Sequence, residues 1–102
     1  MIHVIATIEL AAGTRDAFVR AFHEVMPMVK AEDGCLEYGP AIDLQTDLAV
    51  QIPFRDNTVT VIEKWSTLDA LRAHLSAAHM VEYRAKVKDF VQHVTLQVLQ
   101  PI

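Results

Sequence analysis

The sequence predicts an α+β fold of the ferredoxin-like type, with the chain order β-α-β-β-α-β. Three observations predict it. Apolar residues alternate at strand spacing near both ends of the chain, they recur at helical spacing in two intervening regions, and a run rich in β-branched residues lies between those regions. We therefore expect an antiparallel four-stranded sheet with its helices on one face. The chain has 102 residues without a linker or low-complexity segment, which predicts a single domain over residues 1–102.

The first half of the chain predicts a strand, a helix and a second strand. Alternating apolar side chains predict the first strand over residues 2–10. A helix is expected over about residues 14–31, with Thr14 as its N-terminal cap. Pro27 lies late in this helix and is expected to kink it or end it early, because proline has no N–H to donate. Residues 35–43 predict the second strand.

The second half predicts two further strands with helical segments between them. Residues 49–53 fit a short extra strand, and residues 58–65, rich in β-branched side chains, fit a core strand. Ser66 is expected to cap a short helix, and apolar spacing over residues 80–91 predicts a longer one. Residues 94–98 alternate again and predict the last strand. The short helix is expected to turn three leucines inward: Leu68, Leu71 and Leu75.

The outer face of the predicted sheet suggests a second copy of the chain. Hydrophobic residues make up 52% of the sequence, slightly more than the usual ~45–50%. In the first strand the face away from the helices carries His3, Ile5 and Thr7, which is half apolar. Two such sheets packed face to face would form a dimeric α+β barrel, so we expect a homodimer.

Composition and charge argue against several classes of binding partner and cellular location. The net charge is −4 and no basic run occurs, so nucleic acid is not expected as a partner. No apolar stretch approaches the ~20 residues of a membrane helix, and the N-terminus lacks the features of a signal peptide. We expect no membrane association and a cytoplasmic location. Cys35 is the single cysteine and is expected to be buried and inert.

Most motifs for catalysis or cofactor binding are missing. His74 and His79 are five residues apart, about 140° around one helix, so they are expected to point away from each other and not to share a metal. No G-x-S-x-G nucleophile motif and no glycine-rich phosphate loop occurs. What remains is a set of side chains that suits either a pocket for a flat aromatic ligand or ordinary core: Phe22, Met26, Tyr38, Phe54, Trp65, His74, His79, Tyr83 and Phe90.

Several short segments resemble the antibiotic biosynthesis monooxygenase superfamily and, within it, the quinol monooxygenase branch. The segments are Glu63-Lys64-Trp65-Ser66, Ala73-His74-Leu75, Ala78-His79-Met80 and Glu32-Asp33-Gly34-Cys35-Leu36-Glu37-Tyr38, with further similarity at both chain ends. The resemblance spans nearly the whole chain. It implies a small dimeric α+β barrel protein that oxygenates hydroquinone-type or polycyclic aromatic substrates with molecular oxygen, without metal, flavin or haem.

The resemblance also implies roles for individual residues. His74 is expected to be the base or orienting group, because imidazole titrates near neutral pH. Trp65 is expected to form an aromatic wall and to donate its N–H to a substrate oxygen. Substrate-binding residues are expected to be Tyr38, His79, Tyr83, Phe22 and Phe54. Glu63 is expected either to orient a histidine or to face outward in an ion pair with a lysine.

Two other functions remain open on the sequence alone. Relatives with this fold also isomerise small oxygenated metabolites, and a dimeric module that binds a small ligand without catalysis would share the same features. Haem degradation is disfavoured, because haem-degrading relatives use an asparagine on the first strand together with tryptophan and histidine. In this chain Thr7 is the nearest polar candidate on that strand.

Overall fold

Four strands and three helices make up the structure, a computed structural model that describes all 102 residues. The strands are β1 (Ile2–Leu10), β2 (Cys35–Ala41), β3 (Thr58–Trp65) and β4 (Val91–Leu99). The helices are α1 (Arg15–Lys30), α2 (Leu68–Ser76) and α3 (Ala78–Val87). The strands form one antiparallel sheet in the order β2-β3-β1-β4. This is the predicted ferredoxin-like α+β fold, with its second helical region divided in two.

The two faces of the sheet differ in what covers them. The register pairs Ile2 with Trp65 and Glu9 with Thr58, and because side chains alternate along a strand, each face takes every second residue. The face beneath the helices carries Val4, Ala6, Ile8 and Leu10 of β1 and Val59, Val61, Glu63 and Trp65 of β3, all buried. The outer face carries half-buried or exposed residues: His3, Ile5, Thr7, Thr60, Ile62 and Lys64.

Helix α1 begins near the predicted position but is neither capped nor ended as expected. The Thr14 hydroxyl donates to the Ala11 carbonyl at 2.7 Å and makes no cap hydrogen bond to the helix. Pro27 lies inside the helix, which continues to Lys30. The proline ring faces solvent, where water can satisfy the carbonyl that it leaves unbonded, and buried Val29 holds the last turn against the core.

The predicted extra strand over residues 49–53 is absent. Residues 42–57 instead form a connection without strand or helix, and a bidentate pair of Arg55 with Asp43 joins its two ends, with Nε 2.9 Å from Oδ2. This connection, called the 42–57 arm below, exposes most of its apolar side chains: Ile42, Leu44, Leu48, Val50, Ile52 and Phe54.

Three details of the second helical region also differ from the prediction. Thr67, not Ser66, caps α2 by accepting a hydrogen bond from the Ala70 N–H at 3.1 Å. Of the three leucines expected inside, Leu71 is buried, whereas Leu68 and Leu75 are exposed on the flanks of the helix. Helix α3 ends at Val87, four residues earlier than predicted, because the chain turns there into β4.

The edge strand β4 is only partly covered. Val94, Leu96 and Val98 lie on the same face as the buried residues of β1, with which they are paired, yet each is almost half exposed. No helix closes over this edge, so a cavity between sheet and helices opens beside β4. No helix in the chain has both the length and the apolar character to cross a membrane. The cytoplasmic location stays a prediction.

Candidate functional site

A cavity of about 360 Å³ lies between the covered face of the sheet and helices α1 and α3. Thirteen of its 17 lining residues are hydrophobic, so the walls suit an apolar ligand of one or two rings. The four remaining lining residues are ionisable: Glu63, His74, Arg84 and Lys88. The chemistry of the cavity therefore depends on these four groups and on the hydroxyls of its tyrosines.

One end of the cavity is walled by aromatic side chains. Phe22 of α1 stacks on Tyr38 of β2 with ring centroids 5.2 Å apart, and Tyr83 of α3 meets Phe22 edge-on at 6.1 Å. The His74 ring lies 5.4 Å from Tyr38. All four belong to the predicted site and all four line the cavity. Strand alternation and helical spacing bring them together, because each falls on the buried face of its own element.

The other three predicted site residues do not line the cavity. Trp65 is fully buried behind His74, with ring centroids 4.7 Å apart. Its indole N–H donates to Glu63 Oε1 at 2.9 Å and so is not offered to a substrate oxygen. His79 contacts the same Glu32 carboxylate as His74. Phe54 lies in the exposed 42–57 arm.

His74 is held in one tautomer by a carboxylate. Its Nδ1 lies 2.9 Å from Glu32 Oε2, and because a carboxylate only accepts, Nδ1 carries the proton. The other ring nitrogen, Nε2, makes no hydrogen bond within the chain and keeps its lone pair. Burial lowers the pKa of His74, against the opposing effect of Glu32. His74 is therefore a neutral imidazole at pH 7 that can accept a proton.

Glu32 also binds the second histidine, which the sequence did not predict. His79 Nε2 lies 2.8 Å from the same Oε2 atom. The two histidines were expected to point apart because of the angle between them on an ideal helix. In the structure Ala77 is extended, with ψ 144°, and it separates α2 from α3, so both rings turn toward Glu32. No group of three or more His, Cys, Asp or Glu side chains is arranged to hold a metal ion.

Glu63 faces the cavity, and neither of its two expected contacts is formed: it is not hydrogen-bonded to a histidine and not paired with a lysine. Its neighbour Lys64 points to the opposite face and pairs with Glu37 at 3.3 Å. Burial raises the pKa of Glu63 to about 7, the Trp65 hydrogen bond opposes this rise, and the charge of Glu32 adds to it. Alternation along β3 carried the signal for this placement, because Glu63 is two residues from Trp65 and shares its face.

The Tyr83 hydroxyl is the one buried side-chain polar atom without a hydrogen-bond partner. Burial raises the pKa of Tyr83 above its ordinary value, so the hydroxyl stays protonated. A buried polar group left unpaired costs free energy. Tyr83 lines the cavity, but its hydroxyl oxygen is enclosed by the surrounding side chains, so it can donate to a ligand oxygen only when those side chains move apart.

Comparison with known proteins gives the family. The family model for antibiotic biosynthesis monooxygenase matches residues 1–86. The chain belongs to the antibiotic biosynthesis monooxygenase family. It is 35% identical to the protein of Escherichia coli (strain K12) named probable quinol monooxygenase YgiN, across 99% of this chain and 98% of that one. Both matches support a monooxygenase.

Solved structures agree with the fold. PA3566 from Pseudomonas aeruginosa superposes with a TM-score of 0.81 at 25% identity, covering 99% of this chain and 93% of that chain. A family protein from Nitrosomonas europaea superposes with a TM-score of 0.83 at 16% identity, covering 100% and 99% of the two chains. The resemblance to the family seen in the sequence, and the ferredoxin-like fold, are thus confirmed.

Proposed function

We propose that this protein is a cofactor-independent monooxygenase that oxidises hydroquinone-type or polycyclic aromatic substrates with molecular oxygen. The observation that supports it most is a neutral His74, fixed by Glu32 with Nε2 unbonded, in the wall of an aromatic-lined cavity. The 35% identity to a protein named as a quinol monooxygenase agrees with this substrate class.

The reaction begins with loss of a proton from the substrate. Nε2 of His74 takes a hydroxyl proton, and the resulting phenolate, held in a cavity with few polar groups, becomes a strong electron donor. One electron passes to O₂, and the substrate radical and superoxide then combine at a ring carbon. Loss of water from the hydroperoxide gives a carbonyl. In total, a hydroquinone and O₂ yield a hydroxyquinone and water, so no external reductant is needed.

Substrate binding follows from the cavity walls. Phe22 and Tyr38 form a stacked pair that fits against a flat ring. The unpaired Tyr83 hydroxyl, enclosed in the free protein, donates to a substrate oxygen once the bound substrate displaces the side chains around it. Trp65, behind His74, fixes the position of the imidazole by ring contact.

Oxygen uptake by metal-stripped protein tests this proposal. We expect uptake above the uncatalysed rate with one or more members of a hydroquinone panel, and loss of most of it in His74→Gln. Circular dichroism controls for folding of the variant. Uptake that disappears on metal removal contradicts cofactor independence. Substrate turnover under argon instead supports an isomerase, for which His74 and Glu63 on one cavity supply two proton-transfer groups. Binding without turnover supports a ligand-binding module.

We also propose that the protein works as a homodimer formed through the outer face of the sheet. Ile62 at the centre of that face and Val50 in the 42–57 arm are 43% and 96% exposed. Exposed apolar side chains of this kind mark interaction surfaces. A second copy covering both would bury them.

A further inference from the structure

Glu63 is a buried carboxyl without a cationic partner. Its residue exposure is 4%, and none of the ion pairs in the structure includes it. A buried carboxylate that is not paired with a cation destabilises the folded state. A hydrophobic or amide side chain would fill the same space without that cost, so the carboxyl group itself calls for a chemical explanation.

The geometry directs one oxygen of this carboxyl to the protein and the other to the cavity. Oε1 accepts the Trp65 indole N–H at 2.9 Å. Oε2 makes no hydrogen bond within the chain, and Glu63 lines the cavity together with His74. Trp65 contacts both Glu63, through this hydrogen bond, and His74, whose ring centroid lies 4.7 Å from that of Trp65. The pair of residues at positions 63 and 65 therefore aims one carboxyl oxygen into the space where a substrate would bind.

We infer that Glu63 is a second acid–base group of the reaction, which protonates the oxygen that leaves as water, and that Trp65 is its positioning residue. This role rests on the proposed function. His74 and Glu63 then divide the proton transfers between them: His74 accepts the proton that starts the reaction, and Glu63 supplies the first proton to the peroxide and later accepts the hydrogen of the ring carbon.

The proton balance closes over one turnover. His74 takes the hydroxyl proton of the substrate and becomes an imidazolium. After oxygen has bonded to the ring carbon, protonated Glu63 gives its proton to the outer oxygen of the peroxide. The O–O bond breaks, the outer oxygen takes the His74 proton and leaves as water, and the hydrogen on the ring carbon passes to the Glu63 carboxylate as the carbonyl forms. Both side chains return to their starting states.

The surroundings of Glu63 favour its acid form near neutral pH. Burial and the negative charge of Glu32 both raise the pKa of Glu63, and the Trp65 N–H lowers it. Tyr38, Cys35 and His74 are the other titratable groups near it, and Arg84 and Lys88 are the cations that line the same cavity. A carboxyl that titrates near the working pH can both give and accept a proton.

The first test compares Glu63→Gln with the wild-type chain. Glutamine keeps the shape and accepts the indole hydrogen bond but cannot give a proton. We expect kcat to fall about 100-fold, KM to change less than threefold, and hydrogen peroxide to appear, because a peroxide that is not protonated for O–O cleavage is lost from the ring. Glu24→Gln is the matched control, because Glu24 is exposed on helix α1 and pairs with Lys86.

The second test moves the pH profile without removing the carboxyl. Trp65→Phe deletes the N–H that stabilises the carboxylate, so Glu63 holds its proton to higher pH and the alkaline limb of kcat moves upward. A Trp65 that served packing alone would lower kcat without moving this limb, which would contradict the positioning role. Carbon-13 NMR of labelled glutamate measures the titration of Glu63 directly, and a midpoint below pH 5.5 would overturn the acid role.

The two proposals fail in different ways. A wild-type chain that takes up no oxygen with any quinol overturns the proposed function, and the role of Glu63 with it. An active wild type whose Glu63→Gln variant keeps kcat within threefold, with no peroxide, overturns the role of Glu63 alone.

Discussion

Single residues determine the chemistry of this cavity through burial and hydrogen bonding. The same desolvation raises the pKa of Glu63 and lowers that of His74, because burial disfavours whichever form is charged. Burial therefore keeps Glu63 protonated up to about pH 7 and keeps His74 neutral to lower pH than usual, which suits one as an acid and the other as a base. Sequence alone supplied His74 as a candidate but not its partner Glu32, which comes from the loop after α1.

The raised pKa of Glu63 predicts how stability depends on pH. Between about pH 4.5 and pH 7 the folded chain holds a proton at Glu63 that the unfolded chain has released. The stabilisation is complete below this window and is lost as pH rises through it, by about 3 kcal/mol in total. Urea unfolding at pH 5 and pH 8 measures it. Glu63→Gln should remove this part of the pH dependence, and an unchanged slope in the variant would contradict a raised pKa.

Glu32→Gln should allow His74 to adopt either neutral tautomer. Without the carboxylate, Nδ1 no longer has an obligatory acceptor, and the pKa of His74 falls further because the hydrogen bond and charge that raise it are gone. We expect nitrogen-15 NMR to show loss of the single Nδ1–H form and kcat to fall at least about tenfold. Glu24→Gln, an exposed carboxylate paired with Lys86, is the control. An unchanged tautomer would mean that packing alone fixes the ring.

The spacing of apolar residues along the sequence was enough to predict most of the strands and helices. The strands of residues 2–10 and 58–65 match the structure at both ends. The predictions that were wrong concern the helix ends and the connection between β2 and β3. There the conformation is determined by hydrogen bonds to distant residues. The break at Ala77 lies between the two predicted helices. Periodicity did not reveal its consequence for the site, which is that His74 and His79 turn toward one carboxylate.

Two glycines with nearly the same backbone angle offer a matched test of the contact between α2 and the loop before β2. Gly13 and Gly34 have φ of 81° and 80°. A Cβ at Gly13 meets nothing within 4 Å, whereas one at Gly34 would lie 2.6 Å from Ser66 Oγ and 2.7 Å from Ala70 Cβ. Gly13→Ala should cost about 1 kcal/mol of backbone strain, and Gly34→Ala at least about 2 kcal/mol, since overpacking adds to the strain. Equal losses in urea unfolding would contradict the close packing of α2.

We expect the protein to be a homodimer in solution. The outer face of the sheet carries Ile5 and Ile62 among polar side chains, and nothing within one chain covers it. Analytical ultracentrifugation should give twice 11.4 kDa at micromolar concentration. Ile62→Lys should lower the mass to one chain without unfolding it, and Val81→Lys, exposed on α3, should not. A wild-type mass of 11.4 kDa would contradict the dimer.

The central claim is that the cavity transfers one oxygen atom from O₂ to the substrate without a cofactor. Its most direct test is turnover of a quinol by metal-stripped protein under ¹⁸O₂, with mass spectrometry of the product and the water. We predict one labelled atom in the product and one in water, and neither above background in His74→Gln. A labelled peroxide with an unlabelled product would show an oxidase, and would contradict the monooxygenase.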